Sequence, residues 1–355
     1  MRIFLGAIAM EPRELVTETA LYQTPSKMVS SYKVRFSIAE RLEYLQAYGS
    51  HTMAYSLLQR DMDYLDLPRV GFLGYRVQGG TAFVLANPIC ADNDVSTLLE
   101  QFLAEHPKAC FVQTTEPVSS LLRDEFYYYP VQMGVETWLN GNTWNLQGKG
   151  KSHLRRWLNS AKKAGLTVTE LGQGEHLQER HKLQEEWLQS RTKSYALRFL
   201  TRESYRNSAF AHRVRSFAAY NGTTLEGVVE FDPIFNASTV SGYYVNLVQF
   251  TKDAPHGTSD IIIEFALTQF MKEGSHKLSL GMSPLAKLSP CVNEPPFVRA
   301  LGNWLYRHAN ALYSFQGNYF HKEKYRGEEI PVFFATRQWN ALPDVIRLFR
   351  LVGIV

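Results

Sequence analysis

Near its C-terminal end the chain reads YSFQGNYFHKEKYRGEEIP, from Tyr313 to Pro331. Aromatic side chains are interleaved there with His321, Lys322, Lys324 and Arg326. Such cations can hold a phosphorylated or anionic ligand. The same residue types also make a surface helix with stabilising charge pairs, and both readings stay open. Further upstream, the loop TKDAPHGTSD runs from Thr251 to Asp260, between the strand-like YYVNLVQF and an apolar helical run. Backbone N–H groups at a helix N-terminus lack partners, which makes such a junction an anion site in waiting. Gly257 eases the turn, and Ser259 or Asp260 can cap the helix. Glycines are sparse and Pro255 removes one donor, which weakens the junction as a phosphate site.

A second concentration of charge lies in GKGKSHLRRWLNSAKKAG, from Gly148 to Gly165. Lys149, Lys151, Arg155, Arg156, Lys162 and Lys163 are its cations. At helical spacing Arg155, Asn159 and Lys162 share one face, and Leu154, Trp157, Leu158 and Ala161 turn elsewhere. The segment reads either as a linker helix with a solvated basic side or as a phosphate-binding surface for nucleic acid or lipid headgroups.

Other signals fail. Gly150-Lys151-Ser152 looks like the tail of a phosphate-binding loop, but that motif needs a glycine at position 145, which is Asn. Ser190 and Lys193 have SxxK spacing without the signatures that accompany it. His176 and His181 are five apart and do not share a helix face as zinc ligands would, so no metal is expected.

The elements that must position these residues follow one order twice. Val70–Val77 and Ala82–Leu85 read as a hairpin, followed by helix Val95–Glu105, strand Cys110–Thr114, a helix near Val118–Glu125 and strand Val131–Leu139. Val214–Tyr220 and Leu225–Phe231 flank Asn221-Gly222, a strong hairpin signal. Strand Thr239–Phe250, helix Asp260–Glu273, strand His276–Gly281, an irregular and helical stretch and strand Val332–Thr336 follow. Repetition of hairpin, helix, strand, helix and strand predicts a duplicated α+β unit, with one sheet per half. The expected domains are residues 1–147, a basic linker helix over 148–165, and residues 166–355, which carry the candidate site.

The chain has 355 residues, 45% hydrophobic and 20% charged, enough for two domains. No run approaches the roughly 20 apolar residues of a spanning helix, and the apolar Ile3–Met10 reads as a structured N-terminus. Three cysteines, Cys90, Cys110 and Cys291, make a disulfide framework unexpected and fit a reducing cytoplasm. The net charge of +4 permits an anionic partner without requiring one.

Taken in order, GMSPL from Gly281, YSFQG from Tyr313 and KEKY from Lys322 resemble G-M-[AS]-P-L, Y-[NS]-F-Q-G and K-E-K-F of the phosphatidylglycerol lysyltransferase C-terminal domain family. APHGTSD resembles its A-P-x-G-x-x-D loop, the segment from Gly148 resembles its linker, and NPIC from Asn87 resembles its D-P-I-G turn. The resemblance covers roughly residues 45 to 345. It implies a tandem GNAT-like (acyl-CoA N-acyltransferase-like) fold of class α+β. It also implies transfer of an amino acid from aminoacyl-tRNA, as co-substrate, to a phosphatidylglycerol hydroxyl, and the acceptor expected here is such a lipid or another small molecule. Family members usually carry a multi-span membrane domain, and the expectation here is a relative without it, cytoplasmic or peripheral at the inner face of the membrane. One departure stands out: where the family strand often reads D-L-M-R, this chain has Asn246-Leu247-Val248-Gln249. Asn87, Cys90 and Val332 are looser matches.

Because aminoacyl-tRNA is already an activated ester, the chemistry needs alignment of an acceptor and stabilisation of the tetrahedral oxyanion. The resemblance places Lys324 as donor to the oxyanion or a terminal phosphate, Arg326 as its electrostatic support and His256 as a general base or a plain loop histidine. Asn246 and Gln249 would line the tunnel. Asp260 is a helix cap or the carboxylate that holds the substrate ammonium. Ser283, Tyr313 and Gln316 join the substrate-binding set. Two alternatives remain: a coenzyme A-dependent N-acyltransferase and a non-catalytic binding module on the same fold. The tail LPDVIRLFRLVGIV, Leu342–Val355, reads as an amphipathic helix that either packs on the core or contacts an anionic membrane surface.

Overall fold

Two hairpins organise the fold, and each begins a half of the chain. The computed structural model describes residues 35–354 except 173, 191–198, 203, 205–212, 295 and 310–312. The apolar run Ile3–Met10 and the second residue of the SxxK pair, Lys193, lie outside the described residues. Helix α1 (Ile38–Tyr48) opens on a capping box in which Ser37 and Glu40 satisfy each other's backbone N–H groups. Strands β1 (Asp63–Leu67), β2 (Gly71–Gln78), β3 (Thr81–Leu85) and the short β4 (Ile89–Cys90) follow. Then come α2 (Val95–Glu105), β5 (Ala109–Thr114), α3 (Glu116–Phe126) and β6 (Tyr129–Asn140).

Helix α4 (Ser152–Lys163) leads into the second half: β7 (Leu166–Leu171), α5 (Leu177–Ser190), β8 (Arg215–Asn221), β9 (Thr224–Asn236) and β10 (Thr239–Phe250). Helix α6 (Thr258–Lys272), β11 (Lys277–Pro284), α7 (Pro296–His308), α8 (Phe315–Glu323), β12 (Glu328–Thr336) and α9 (Leu342–Leu351) complete it.

One sheet joins both halves, in the order β1-β2-β3-β5-β12-β6-β11-β10-β9-β8-β7, with β4 on β2. The expectation of one sheet per half is corrected by this pairing. Each half contributes a parallel pair, β3 with β5 and β10 with β11. The last strand of each half then crosses to the other: β12 pairs with β5, and β6 pairs with β11. The exchanged strands pair with each other along Tyr129–Trp138 and Glu328–Thr336. Pro331 lies before the stretch of β12 that pairs with β5, which starts at Phe333, so no hydrogen bond to β5 is lost there. The halves therefore share a hydrogen-bonded centre, and the fold is a tandem GNAT-like α+β arrangement.

Helix α6 covers one face of the second half. Ile262, Ala266, Leu267 and Phe270 are buried, and Phe270 stacks on Tyr243 at 3.9 Å. Replacing Phe270 by Ala would cost about 3–5 kcal/mol. Basic α4 packs on α6 through Leu154, Leu158 and Ala161. Its other side is wet, as the helical spacing predicts. Helices α1 and α5 lie against β9 on the opposite face, and α8 packs on β11.

Candidate functional site

The parallel pair in the second half comes apart. Strand β10 meets β11 only at Gly242–Tyr244 and Lys277–Ser279, yet β10 continues to Phe250 and β11 to Pro284. Both strands are irregular at the parting. The β9–β10 register shifts between Val245 and Leu247, at Asn246, and the β6–β11 register shifts between Ser279 and Met282. Gly281 is central to this, with φ +82°, and a Cβ on it would sit 3.0 Å from the Tyr244 ring. Only glycine meets both demands.

Polar groups converge on the gap. The Ser279 hydroxyl donates to Glu136 Oε1 at 2.6 Å, and Gly281 N–H donates to Ser279 Oγ at 3.0 Å. From α8, Lys322 reaches in and donates to the Met282 carbonyl at 2.6 Å. Lys322 is buried, and burial pushes its pKa down to about 7, against the pull of Glu136. Burial raises the Glu136 carboxyl, while Ser279 and Lys322 draw it back. Tyr244 is pushed up by burial, then by Glu136 and Asp232. A lysine with a lowered pKa and a carboxyl with a raised one, each within the other's electrostatic reach, are groups able to exchange a proton.

At the α6 end of the gap the helix begins after Gly257, at φ +92°, where a Cβ would lie 2.2 Å from the Trp157 carbonyl oxygen. Neither Ser259 nor Asp260 caps α6, which corrects the cap reading. Asp260 instead accepts from Lys324 Nζ, at 2.7 Å to Oδ1 and 2.8 Å to Oδ2, and from the Tyr325 hydroxyl at 2.5 Å. Lys324 Nζ also lies 3.1 Å from His321 Nδ1. Burial, then the Lys324 charge, lowers His321 to about 4, so it is neutral and can accept that N–H. Asp260 stands in the first turn of α6, where a carboxylate already complements the helix dipole.

The remaining candidates divide. Asn246 and Gln249 are both buried on β10. The Asn246 Nδ2 donates to the Arg202 carbonyl at 3.3 Å, and its Oδ1 is buried without a protein partner. Ser283 donates to Asn318 Oδ1 at 3.3 Å, and Asn318 Nδ2 donates to the Tyr313 hydroxyl at 2.8 Å, so Ser283 and Tyr313 brace α8. Gln316 donates to the Tyr306 and Arg307 carbonyls and ties α8 to α7. Arg326 pairs with Glu323 at 3.0 Å and donates to the Gly150 carbonyl at 3.3 Å, away from Lys324 Nζ's partners. His256 is exposed and packs on Trp157 at 4.8 Å. In the basic segment Lys151 and Arg155 donate to the carbonyls of Asn145, Leu146 and Gly148, while Lys149, Arg156, Lys162 and Lys163 are exposed. Among the described residues no His, Cys, Asp and Glu cluster could hold a metal.

Sequence reasoning missed Glu136 and Ser279 as site residues and named Lys322 only among the cations of its segment. It also missed a buried network on β9. Arg202 donates to both oxygens of Asp232 and to Glu230, and Arg180 donates to Glu230 at 2.9 Å. The signal was present: in VVEFDPIF two acids alternate among apolar residues, on one strand face. The tail helix α9 turns Leu348 and Val352 into the core and anchors Asp344 to Thr336 at 2.5 Å. Leu342, Ile346 and Arg350 remain exposed.

The family model for the phosphatidylglycerol lysyltransferase C-terminal region matches residues 42–336. A phosphatidylglycerol lysyltransferase of Bacillus subtilis (strain 168) is 26% identical over 287 residues, which are 76% of this chain and 31% of that protein. One of Staphylococcus aureus (strain MRSA252) is 21% identical over 90% of this chain and 39% of its own length. The chain thus spans about a third of the curated relatives it matches. Among solved structures, L-PGS from Bacillus licheniformis has a TM-score of 0.74 at 19% identity, covering 89% of this chain and 97% of that one. The C-terminal domain of a candidate lysylphosphatidylglycerol synthetase from Agrobacterium fabrum has a TM-score of 0.68 at 20% identity, covering 90% and 99%.

Proposed function

The chain belongs to the phosphatidylglycerol lysyltransferase C-terminal family, and on that premise we propose that it transfers an aminoacyl group from aminoacyl-tRNA to a hydroxyl of a phosphatidylglycerol-like lipid. The observation that carries the reading is the gap between β10 and β11 with Lys322 and Glu136 in it. Neutral Lys322 takes the proton of the acceptor hydroxyl as its oxygen attacks the ester carbonyl. The new C–O bond forms, the bond to the tRNA ribose oxygen breaks, and the proton passes to that oxygen. Lys324, oriented by Asp260 and His321, stabilises the oxyanion electrostatically. Asn246 and Gln249 line the aminoacyl channel, and the Asn246 Oδ1 accepts from the substrate. Asp260 orients Lys324 in place of holding an ammonium. The roles proposed for Ser283, Tyr313, Gln316 and Arg326 are positional, through α8 and the basic segment.

The tRNA is placed on the exposed side of α4, at Lys149, Arg156, Lys162 and Lys163, with Lys151 and Arg155 shaping the loop before it. The proposed division of the chain remains 1–147, 148–165 and 166–355, two halves that exchange their last strands. A peripheral position at the inner face of the membrane follows from a lipid acceptor, with the exposed side of α9 touching the surface. Among the described residues no helix is long and apolar enough to cross a membrane. A coenzyme A donor is not favoured, because the first turn of α6 holds its own carboxylate.

The test is incubation with mixed, labelled aminoacyl-tRNAs and total lipid extract. Label is expected in the lipid phase with the native chain and not with Lys322→Met. Absence of labelled lipid from the folded native chain, with every charged tRNA supplied, overturns the reading.

A further inference from the structure

Helix α7 packs one side inward. Gly302 lies against Leu285 and Leu288, and Tyr306 joins the cluster of Val135, Ala286 and Tyr319. Its other side presents Phe297, 41% exposed, and Trp304, 55% exposed, two turns apart on one stripe. Phe297 meets Trp339 edge-on at 5.5 Å, and Trp339 is itself 56% exposed. Three residues later α9 begins, with Leu342 and Ile346 exposed one turn apart. An apolar band therefore runs from α7 across the Trp339 turn to α9. Large aromatic side chains exposed together mark an interaction surface.

Within the two segments that form the band the exposed charges are of one sign, although Glu323 of α8 faces Tyr306 on the inner side of α7. Arg307, Arg337 and Arg350 are exposed beside it. Residues 292–309 and 336–354 contain two carboxylates, Glu294 and Asp344. Both are nearly buried and both are engaged, Glu294 with the Cys291 N–H and Arg299, Asp344 with Thr336 and Arg347. Tryptophan rings and arginine side chains are the groups that settle at a membrane interface, where the ring is apolar in body and polar at its N–H. Arginines near an anionic surface each add to the attraction.

We propose that this band is a docking surface for an anionic lipid bilayer, with Trp304 and Trp339 as its main anchors and the exposed side of α9 as its margin. It deepens the lipid-acceptor reading and rests on that reading only for why a bilayer should be met here. Gln316 and Tyr306 link α7 directly to α8, so a bilayer at the band would lie beside the helix that carries Lys322.

The test uses the full chain in flotation with vesicles of equimolar phosphatidylcholine and phosphatidylglycerol, and with phosphatidylcholine alone. The native chain is expected to float with the anionic vesicles, and the double variant Trp304→Ser, Trp339→Ser to partition at least about tenfold less. Since both side chains are largely exposed, the variant keeps its thermal transition. Unchanged flotation of the double variant overturns the proposal. So does a native dimer that the double variant dissociates without any flotation by either form, which would make a second copy the occupant. Aminoacyl transfer to a monodisperse short-chain phosphatidylglycerol separates the two readings. Vesicle docking without transfer leaves the band standing and defeats the proposed activity; transfer without docking does the reverse.

Discussion

Lys324 and Asp260 form a buried ion pair across the N-terminal turn of α6, with Nζ 2.7 Å from Oδ1 and 2.8 Å from Oδ2, and side-chain exposures of 13% and 3%. The family resemblance gives Lys324 a chemical role alone, as donor to the oxyanion or a terminal phosphate. The pair changes that. Lys324→Ala leaves a buried carboxylate without its cation, the Tyr325 hydroxyl still donating to it, and removal of one member of such a pair costs about 3 kcal/mol or more. Thermal denaturation is expected to show this loss, and Asp260→Asn with Lys324→Met together should recover part of it. A Lys324→Ala protein as stable as the native one would show the pair to be energetically idle.

Transfer should depend on pH through Lys322. Its pKa is lowered to about 7 by burial, and the base-competent form is the neutral amine. The rate at saturating substrate is therefore expected to rise with pH through about 7 and level above it. Lys322→Arg stays charged and should lose the rise along with most of the activity. A native rate that does not change with pH on either side of neutrality would remove Lys322 from the proton path.

Gly281→Ala probes the gap itself. The substitution meets a left-handed φ of +82° and the Tyr244 ring 3.0 Å away. A loss of about 1–3 kcal/mol is expected from the backbone and the collision. Transfer should fall further than stability accounts for, because Tyr244 must move into the opening. Equal activity per folded molecule would place the reacting groups elsewhere.

For the basic side of α4, combined Ala substitution of Arg156, Lys162 and Lys163 should weaken tRNA binding and flatten its salt dependence. Each phosphate that the variant no longer neutralises should reduce the log–log slope by somewhat less than one unit. These three side chains are exposed, so the fold should be unaffected. An unchanged salt titration would leave α4 a packing helix with a solvated face.

Local pattern determined much of this protein. The Asn221-Gly222 hairpin, the apolar run of α6, the split of α4 into Leu154, Leu158 and Ala161 against a basic side, and the recurrence of motifs from Gly281 to Tyr325 are all readable along the chain. The first three depend on side-chain periodicity or turn chemistry within a few residues, and the motifs are legible through their resemblance to a known family. Tertiary structure decided the rest. Strand β12 sits beside β5, with Phe333 opposite Thr114, and no local pattern says which distant strand a Val-Phe-Phe run will pair with. The exchange of β6 and β12 made one sheet of two expected ones, and it brought Glu136 of the first half beside Ser279 and Lys322 of the second. The lysines of KEKY are two residues apart, yet Lys324 pairs with a carboxylate on α6, while Lys322 donates to the Met282 carbonyl on β11 within the electrostatic reach of Glu136 on β6. Their different surroundings, a formed ion pair and a desolvated pocket, assign the two charges different work, and burial is a property of the folded neighbours and not of the motif.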